Sequence, residues 1–426
     1  MMNEAIIAII IFLLTYGLII SEKIHRTIIA MLGAALMIVF KIVTQETALQ
    51  HIDFNTIGLL IGMMVMVSIT GETGVFKFVA IWSAKKVKGR PIAILLVLSL
   101  ITGIGSAFLD NVTTVLLMVP VTFSITRQLN ISPIPFLISE ILMSNIGGTA
   151  TMIGDPPNIM IGSAVPELTF MRFITNLTPI ILIIMVVTVL LLMLIYRKEF
   201  KTSDETRKRI MSLNEKDEIT DKLLMIKSLT MMGLTIIGFF LHEWIHVDTA
   251  TVALAGAFIL LLLSGESYLE SALGKVEWTT IFFFVGLFVL VSGLVETGVI
   301  EKIASYAIEL TGGHVTSSSF LILWLSAIAS AFIDNIPFVA TMIPLIQQMG
   351  HLGIHNLEPL WWSLSLGACL GGNGTLIGAS ANLVVAGLAG KEGYKITFVK
   401  YLFIGFPLML ISILISMAYI YLRYLL

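Results

Sequence analysis

The sequence carries little charge for its length and has a single cysteine. Only 12% of its residues are Asp, Glu, Lys or Arg, while 57% are hydrophobic, and the mean hydropathy is +0.99. Soluble domains contain about 25% charged residues, so water is not the main solvent of this chain. The one cysteine, Cys369, excludes an internal disulfide and a cysteine-rich zinc or iron-sulfur site.

An excess of positive charge is also missing. The formal net charge is -2 and the pI is near 6.4, and the few charges lie in short clusters between apolar runs. A surface of this kind does not attract phosphate backbones, so the expected partner is the lipid bilayer and not nucleic acid. The first apolar run, from Ala5, lacks the basic segment and the cleavage site of a signal peptide and is predicted to remain as a membrane helix.

Apolar segments of about 20 residues, the length needed to cross a bilayer, recur along the chain. The continuous ones are residues 5–20, 27–43, 55–74, 174–196, 228–243, 249–264, 279–298 and 397–421, and glycine-rich polar stretches interrupt two more at residues 135–164 and 359–390. Two apolar pairs, residues 91–109 with 112–124 and 315–333 with 336–347, have second arms too short to span. We predict that these pairs are re-entrant hairpins.

The basic residues indicate the orientation in the membrane. Of the 25 lysine and arginine residues, all but Lys41, Arg172, Lys302 and Arg423 fall in connections that are cytoplasmic if the N-terminus is outside. The sequence therefore predicts a multi-pass inner-membrane protein with both termini outside and residues 197–222 in the cytoplasm. Residues 76–89 and 300–312 are typical of amphipathic helices that lie in the membrane interface.

The sequence also repeats itself at a fixed offset. Glu72-Thr73-Gly74-Val75 recurs as Glu296-Thr297-Gly298-Val299, 224 residues later, and SAFLDN from Ser106 recurs as SAFIDN from Ser330 at the same offset. Each half holds five crossings and a hairpin, and an odd number of crossings inverts the second half. The predicted fold is an all-α polytopic membrane protein with two inverted repeats, two re-entrant hairpins and two discontinuous helices.

The repeat also predicts the domain organisation. The first repeat covers residues 1–196, a cytoplasmic linker covers residues 197–227, and the second repeat covers residues 228–426. Within each repeat, scaffold helices come first, at residues 1–90 and 228–314. A hairpin and a broken helix follow, at residues 91–196 and 315–426.

Polar residues concentrate at the hairpin tips and in the two interruptions. A carboxylate inside the bilayer costs at least about 2.5 kcal/mol, so Asp110 and Asp334 at the tips need a reason to be there. They either bind an ion or substrate or act as N-caps of the second hairpin arms, and the two roles are compatible. The predicted substrate and ion site consists of Asp110, Asn111, Thr113, Asn145, Thr149, Thr151, Asp155, Asn158, Asp334, Asn335, Asn373, Thr375, Ser380 and Asn382.

The charges of these elements suggest the coupling ion. They contain the three carboxylates of Asp110, Asp155 and Asp334, and neither lysine nor arginine. This set favours protons or a hard cation, with Na⁺ a candidate ligand of the three aspartates, and no organic cofactor is expected. Glu140 is a weaker candidate for a proton relay, with a structural role as the alternative.

A zinc-protease pattern, H-E-x-x-H, lies at His242 to His246. A zinc site requires a helix that presents both histidines and a third ligand, but this segment lies at the outer end of a crossing. We interpret it as a polar extracellular connection, and we predict no enzymatic activity.

Four strings resemble a known group of proteins: DNVTTVLLMVP from Asp110, NIGGTATMIGDPPN from Asn145, DNIPFVATMIP from Asp334 and GGNGTLIGASAN from Gly371. They are similar to the ion transporter superfamily, in its branch of arsenite permeases, NhaD-like antiporters and P proteins, with the P protein type most similar. The resemblance implies a homodimer in which a scaffold holds still while hairpins and broken helices move as an elevator. Related dicarboxylate carriers have Ser-Asn-Thr at both tips, and Asp-Asn here makes proton coupling the more natural expectation.

The leading functional hypothesis is a proton-coupled secondary transporter of arsenite, antimonite or a similar small inorganic anion or solute. Arsenite would be recognised as its neutral trihydroxide by Asn145, Thr149, Asn373 and Thr375. The alternatives are a Na⁺/H⁺ antiporter and, in a different class, a passive anion channel. A cytoplasmic ATPase subunit stays open as a further partner.

Overall fold

A computed structural model of the chain describes residues 2–21, 23–200 and 203–426. Within these residues the secondary structure is entirely helical. The prediction of an all-α polytopic fold is therefore confirmed. Lys201 and Thr202, which belong to the predicted linker, lie outside the described residues.

The helices of the first half are α1 (Met2–Ser21), α2 (Arg26–Val39), α3 (Gln45–His51), α4 (Phe54–Glu72), α5 (Val75–Lys86), α6 (Pro91–Ser106), α7 (Asn111–Leu129), α8 (Ile134–Gly148), α9 (Pro156–Ala164) and α10 (Phe170–Tyr196). Helix α11 (Asp204–Ser212) follows, with a short 3₁₀ turn at Glu215–Glu218. The helices of the second half are α12 (Lys222–Ile245), α13 (Thr249–Ser264), α14 (Leu269–Gly274), α15 (Trp278–Glu296), α16 (Val299–Thr311), α17 (Val315–Phe332), α18 (Asn335–His351), α19 (Glu358–Gly371), α20 (Ser380–Lys391) and α21 (Phe398–Ile420).

Every helix of the first half has a counterpart in the second at the 224-residue offset. The bounds of α4 and α15 coincide at this offset, and the other pairs differ only at their ends. Two side-chain pairs obey the same symmetry: His51 contacts Glu296 at 3.0 Å, and Lys275 pairs with Glu72. His51 corresponds to Lys275 and Glu72 to Glu296, so the repeat relates contacts between the halves as well as helices within them.

Helix packing gives the relative direction of the two halves. Helix α15 runs parallel to α2, because Thr27 donates to the carbonyl of Thr279 at 2.7 Å near both N-termini, and Met37 lies against Gly293 near both C-termini. Helices α2 and α4 are consecutive spans and run in opposite directions. Helix α15 therefore runs opposite to its counterpart α4, which makes the repeats inverted.

The same exchange occurs at the symmetric position. Helix α4 packs parallel to α13, where a Cβ on Gly62 would lie 2.6 Å from the carbonyl carbon of Ala253. Its counterpart Gly286 approaches the backbone of Ala30 in the same way, at 2.7 Å. Glycine is needed at both positions because the two backbones are nearly in contact. The scaffold helices of the two halves are thus interlocked.

The second arms of the hairpins, α7 and α18, are longer than predicted. By length and composition, eight helices of the described residues could cross a membrane, and these include α7 and α17 from the two hairpins. Helix α7 ends at Leu129 and not near residue 124, because Asn130 takes the left-handed conformation (φ 54°) that stops it. The prediction of two re-entrant hairpins is nevertheless confirmed, because both tips reach the same carboxylate in the interior, as described below.

The linker is packed against the first half. Thr220 donates to the carbonyl of Glu72 at 2.5 Å, and the Lys85 ammonium donates to the carbonyl of Leu213 at 2.8 Å. Helix α12 begins at Lys222, so the second half starts inside the segment predicted to be linker.

Candidate functional site

The two hairpin tips are built in the same way. Asp110 caps α7 by accepting hydrogen bonds from the amide of Thr113 at 2.8 Å and from its hydroxyl at 2.5 Å. Asp334 caps α18 by accepting from the amide of Ile336 at 3.1 Å. The capping role considered for both residues is therefore present, and it fixes the direction of the asparagine that follows each one.

Both tips converge on Asp155. This residue ends the interruption between α8 and α9 and is 1% exposed, and although it stands at the N-cap of α9, its side chain makes no capping hydrogen bond. Asn335 Nδ2 lies 3.4 and 3.5 Å from its two carboxylate oxygens, and Asn111 Nδ2 lies 3.5 Å from Oδ1. These contacts are long for hydrogen bonds to a carboxylate. Among the described residues no cation pairs with Asp155, so its charge has no counter-ion of the protein's own.

A small cavity adjoins this carboxylate. Its volume is about 30 Å³, enough for one or two water molecules or a desolvated cation. The polar residues that line it are Arg26, Asp110, Asn111, Asp155, Glu277, Thr280, Asn335 and Ser380. Residues from both halves and from both the scaffold and hairpin segments therefore surround one point.

Arg26 corrects the expectation of a site without a cation. Its guanidinium donates to Asp334 Oδ2 at 2.5 Å and to Ser380 Oγ at 2.9 Å, and it lies 4.8 Å from the centre of the Phe283 ring. The sequence analysis had placed Arg26 in a cytoplasmic connection. A signal was present in the repeat, because the corresponding position holds Ala250 and not a basic residue.

Glu277 is a second residue that the sequence analysis missed. It precedes α15, lines the small cavity, and accepts a hydrogen bond from Thr280 at 2.9 Å. Its counterpart is Asp53, which caps α4 by accepting from the amides of Asn55 and Thr56. An acidic residue at both corresponding positions was the available signal.

The other predicted asparagines form a network behind the cavity. Asn145 donates to Asn373 and Asn382, both at 2.9 Å, and Asn373 donates to the carbonyl of Leu142 at 3.2 Å. Asn382 donates to the carbonyls of Gly372 and Thr375, at 2.8 and 2.9 Å. These amide donors are occupied by protein acceptors, so the network holds the two interruptions together.

Asn158, in the first half, connects the first interruption to Ser365 in the second half. It donates to the carbonyls of Thr149 and Thr151, at 3.2 and 2.9 Å, and accepts from Ser365 at 2.5 Å. The Cys369 thiol also lies 3.6 Å from its oxygen. Asn158 therefore fixes the shape of the interruption that ends at Asp155.

The predicted threonines connect the interruptions to neighbouring backbone. Thr149 donates to the carbonyl of Asn145 at 2.7 Å, and Thr375 donates to that of Ala331 at 2.5 Å. Thr151, the counterpart of Thr375, donates to the carbonyl of Ala107. The donors suggested for arsenite, on Asn145, Thr149, Asn373 and Thr375, are all engaged in this way. Of the predicted residues, the structure therefore brings Asp110, Asn111, Asp155, Asn335 and Ser380 to the small cavity itself.

A family model described as "Citrate transporter" matches residues 16–367 of the chain, well over half of it. The chain belongs to this citrate transporter family.

This citrate transporter family member has similar sequences in bacteria and in mammals. A "46 kDa membrane protein" of Mycobacterium leprae is 41% identical, and an "Uncharacterized transporter" of Mycobacterium tuberculosis is 40% identical, each over 99% of both chains. The P protein of Homo sapiens is 36% identical over 95% of this chain, which spans 58% of that protein's length. The resemblance to the P protein branch is thus confirmed.

A solved structure supports the same fold. The YdaH transporter of Alcanivorax borkumensis superposes with a TM-score of 0.60, covering 98% of this chain and 97% of that one, at 14% identity. The family and the relatives are described as transporters, which confirms the prediction that the protein is not an enzyme. The chain is a multi-pass membrane transporter.

The histidine motif of this citrate transporter family member lies in a separate cavity. His242, Glu243 and His246 line a space of about 550 Å³ together with Arg172 and Asp248. In the part of the chain that the structure describes, no three His, Cys, Asp or Glu residues are arranged to hold a metal ion. This cavity is distinct from the one at Asp155.

Proposed function

We propose that this protein is a proton-coupled secondary transporter of small anions that works by elevator-type alternating access. The observation that carries the proposal is the meeting of both hairpin tips, through Asn111 and Asn335, at the buried carboxylate of Asp155. Inverted repeats with interrupted helices at the bilayer midplane are the architecture of secondary transporters.

The environment of Asp155 supports coupling to a proton or cation. An ionised carboxylate in the interior is costly unless it is paired, and the hydrogen-bond neighbours of Asp155 are the amides of Asn111 and Asn335 and the Cys369 thiol, none of them a cation. Uptake of one proton or one Na⁺ would remove that cost. The charge state of Asp155 would then decide how readily the surrounding segments move within the bilayer.

The charges around the cavity support an anionic substrate. Arg26 is the cation that lines it, and a guanidinium is suited to bind carboxylate or oxyanion groups. Neutral arsenous acid would need free amide and hydroxyl groups. The amides of Asn145 and Asn373 and the hydroxyls of Thr149 and Thr375 are instead bonded to protein partners. The description of the family as citrate transporters points to an anion as well, and citrate is the first substrate to test.

The division into moving parts follows from packing. Helices α2, α4, α13 and α15 interlock through backbone contacts at Gly62 and Gly286, which suits a fixed scaffold. The two broken helices are joined to each other by the asparagine network, and Asn111 at the first hairpin tip donates to Asn145 at 3.1 Å, which suits a single moving body. A homodimer, with the scaffolds in contact, would anchor such a motion in the bilayer.

Na⁺/H⁺ antiport is the second candidate. Asp110, Asp155 and Glu277 line the small cavity, and Asp334 lies beside Arg26, so carboxylates outnumber the single guanidinium. Several carboxylate oxygens around a small space are the ligands that a hard cation prefers.

The test is transport in sealed proteoliposomes that contain a pH dye. We expect added citrate to cause a pH change in the lumen, because citrate and protons would move in one cycle. Asp155→Asn should abolish the pH change, since an amide cannot take up a proton. Glu140→Gln is the matched control, because Glu140 is an equally buried carboxyl that lies outside the cavity, and it should keep the signal.

The other outcomes separate the candidates. A pH change on addition of sodium and not citrate, lost in Asp155→Asn, would replace anion transport by Na⁺/H⁺ antiport. Citrate flux without any proton movement would contradict the coupling, and a signal that survives Asp155→Asn but disappears in Glu140→Gln would move the proton site to Glu140.

A further inference from the structure

Arg26, Ser380 and Asp334 form a closed triangle of polar contacts. Arg26 Nη1 lies 2.5 Å from Asp334 Oδ2 and 2.9 Å from Ser380 Oγ, and the Ser380 hydroxyl donates to the same Asp334 oxygen at 2.9 Å. A single carboxylate oxygen therefore accepts from both a guanidinium and a hydroxyl. This is also how a bound carboxylate or phosphate oxygen is held in an anion site.

The triangle is open to a second cavity. The side chains of Arg26 and Asp334 are 24% and 14% exposed, and together with Ser380 and His25 they supply the polar wall of a cavity of about 280 Å³. The remaining wall is mostly apolar, from residues such as Ile24, Phe332 and Leu383. A small anion could reach the guanidinium through this space without disturbing Asp155.

The fold does not require the triangle. At the corresponding positions of the other half, Asp110 has Ala250 in place of Arg26 and Pro156 in place of Ser380. Asp110 nevertheless caps its hairpin arm, and so does Asp334, through its other oxygen. The guanidinium and the hydroxyl are therefore additions to one half that hairpin structure alone does not explain.

We propose that Arg26 and Ser380 form an anion-binding subsite for a substrate carboxylate or phosphate group, and that Asp334 occupies this subsite when no substrate is bound. This inference rests on the proposed transport of anions and assigns its recognition to residues of α2 and α20. Exchange of one carboxylate for another keeps Arg26 paired, so the cost of displacing Asp334 falls on the released carboxylate and not on the guanidinium.

The exchange would also link binding to movement. Arg26 begins α2 in the proposed scaffold, whereas Asp334 is the tip of the second hairpin. While the pair is intact, it ties the hairpin to the scaffold. An anion that takes the place of Asp334 replaces this tie by a bridge between Arg26 and Ser380 of α20, and the released carboxylate then requires a proton or cation of its own.

The test is anion binding by the full-length protein in lipid nanodiscs, measured by calorimetry with citrate and with inorganic phosphate. Asp334→Asn removes the internal competitor but keeps an N-cap residue at the hairpin. We expect it to tighten anion binding roughly tenfold, the effect of one charge-assisted hydrogen bond. Arg26→Ala, which introduces the residue found at position 250, should weaken binding at least tenfold, with Arg26→Lys in between.

Asp334→Ser provides a second variant that can cap the helix, and thermal unfolding confirms that each variant is folded. Neutral arsenous acid is the control ligand, and it should show no binding to the unsubstituted protein or to either charge variant. Unchanged or weaker anion binding in both Asp334 variants would overturn the proposal, as would anion binding that survives Arg26→Ala. Because the readout is binding, these results are separate from a failure of proton coupling, which the proteoliposome experiment reports.

Discussion

The two hairpins share their sequence at the tip but differ in their surroundings. Asp110 and Asp334 each begin a second arm and are followed by an asparagine that reaches Asp155. Only Asp334 has a guanidinium partner, since Ala250 stands at the position that corresponds to Arg26. Symmetric helices thus provide the architecture, while the chemistry resides in the residues that break the symmetry.

The helices that lead into the hairpins, α5 before the first and α16 before the second, differ as well. Helix α5 is held by the linker, because Lys85 contacts both Leu213 and Glu215. Its counterpart α16 has Glu309, an exposed acid, at the position of Lys85. Helix α5 is therefore fastened to the linker, whereas the corresponding position of α16 carries an acid that faces solvent.

The largest expected difference between α5 and α16 is the loss of stability on substitution of the glycine that precedes each helix, Gly74 or Gly298. The two glycines have positive φ angles, 78° and 70°. Substitution by alanine should therefore cost about 1–2 kcal/mol of stability at either site. A Cβ on Gly74 would also lie 1.7 Å from the carbonyl oxygen of Glu218, whereas nothing lies within 4 Å of one on Gly298. Gly74→Ala should therefore destabilise the protein by a further ~1–3 kcal/mol.

Thermal unfolding of the two variants in the same lipid nanodiscs measures this difference. Gly298→Ala serves as the control for the backbone strain alone. Equal losses of stability would show that the linker is not in close contact with the start of α5 in the membrane. The proposed difference in packing between α5 and α16 would then be wrong.

The extent of sequence-based prediction follows the same division between shared and unshared residues. The repeat, the hairpins and the convergence of Asp110, Asp155 and Asp334 on one region were predictable, because identical motifs at a constant offset constrain where helices begin and end. The ends of the second arms were not. Helix α7 continues past residue 124 to Leu129, where Asn130 in the left-handed conformation ends it, and Arg127 in this last part pairs with Glu392, a residue 265 positions away in the sequence.

Arg26 was missed for a related reason. Its partner Asp334 is 308 residues away, and a charged residue at the start of a helix ordinarily indicates a membrane boundary. The offset of 224 residues brings Ala250 into correspondence with it, and only a search for unmatched polar residues would have singled it out. The same search finds Asp155 opposite Ala379 and Glu140 opposite Leu364.

A smaller effect is expected at Glu140, the other unmatched carboxyl. It is fully buried in α8, where one oxygen accepts from Thr122 and the other has no partner among the described residues. The corresponding pair in the second half is Leu364 and Ile346. The double variant Glu140→Leu, Thr122→Ile reproduces that pair, and we expect it to stabilise the protein by about 1 kcal/mol, because it removes an unsatisfied buried group.

Thermal unfolding and citrate transport of the double variant are the measurements. Retained transport would place Glu140 among structural residues and leave Asp155 as the coupling site. A stable variant without proton movement would instead make Glu140 part of the proton path and add a further functional difference between the two halves.

The smallest expected effect is the pH dependence of the contact between α5 and the linker. Its hydrogen bond from Lys85 lowers the pKa of Glu215 below the ordinary value of a glutamate. A lowered folded-state pKa adds stability above the unfolded pKa of about 4.3, and this contribution is lost as the pH falls through the folded value. Lys85→Met should therefore lower the Tm at neutral pH. The difference from the unsubstituted protein should shrink in acid to the part that comes from the hydrogen bond to the Leu213 carbonyl, which does not titrate. Glu309→Met, at the corresponding position of α16, is the control, and its difference in Tm from the unsubstituted protein should not shrink in this way. The same acid-dependent change in both variants would mean that the linker contact does not distinguish α5 from α16.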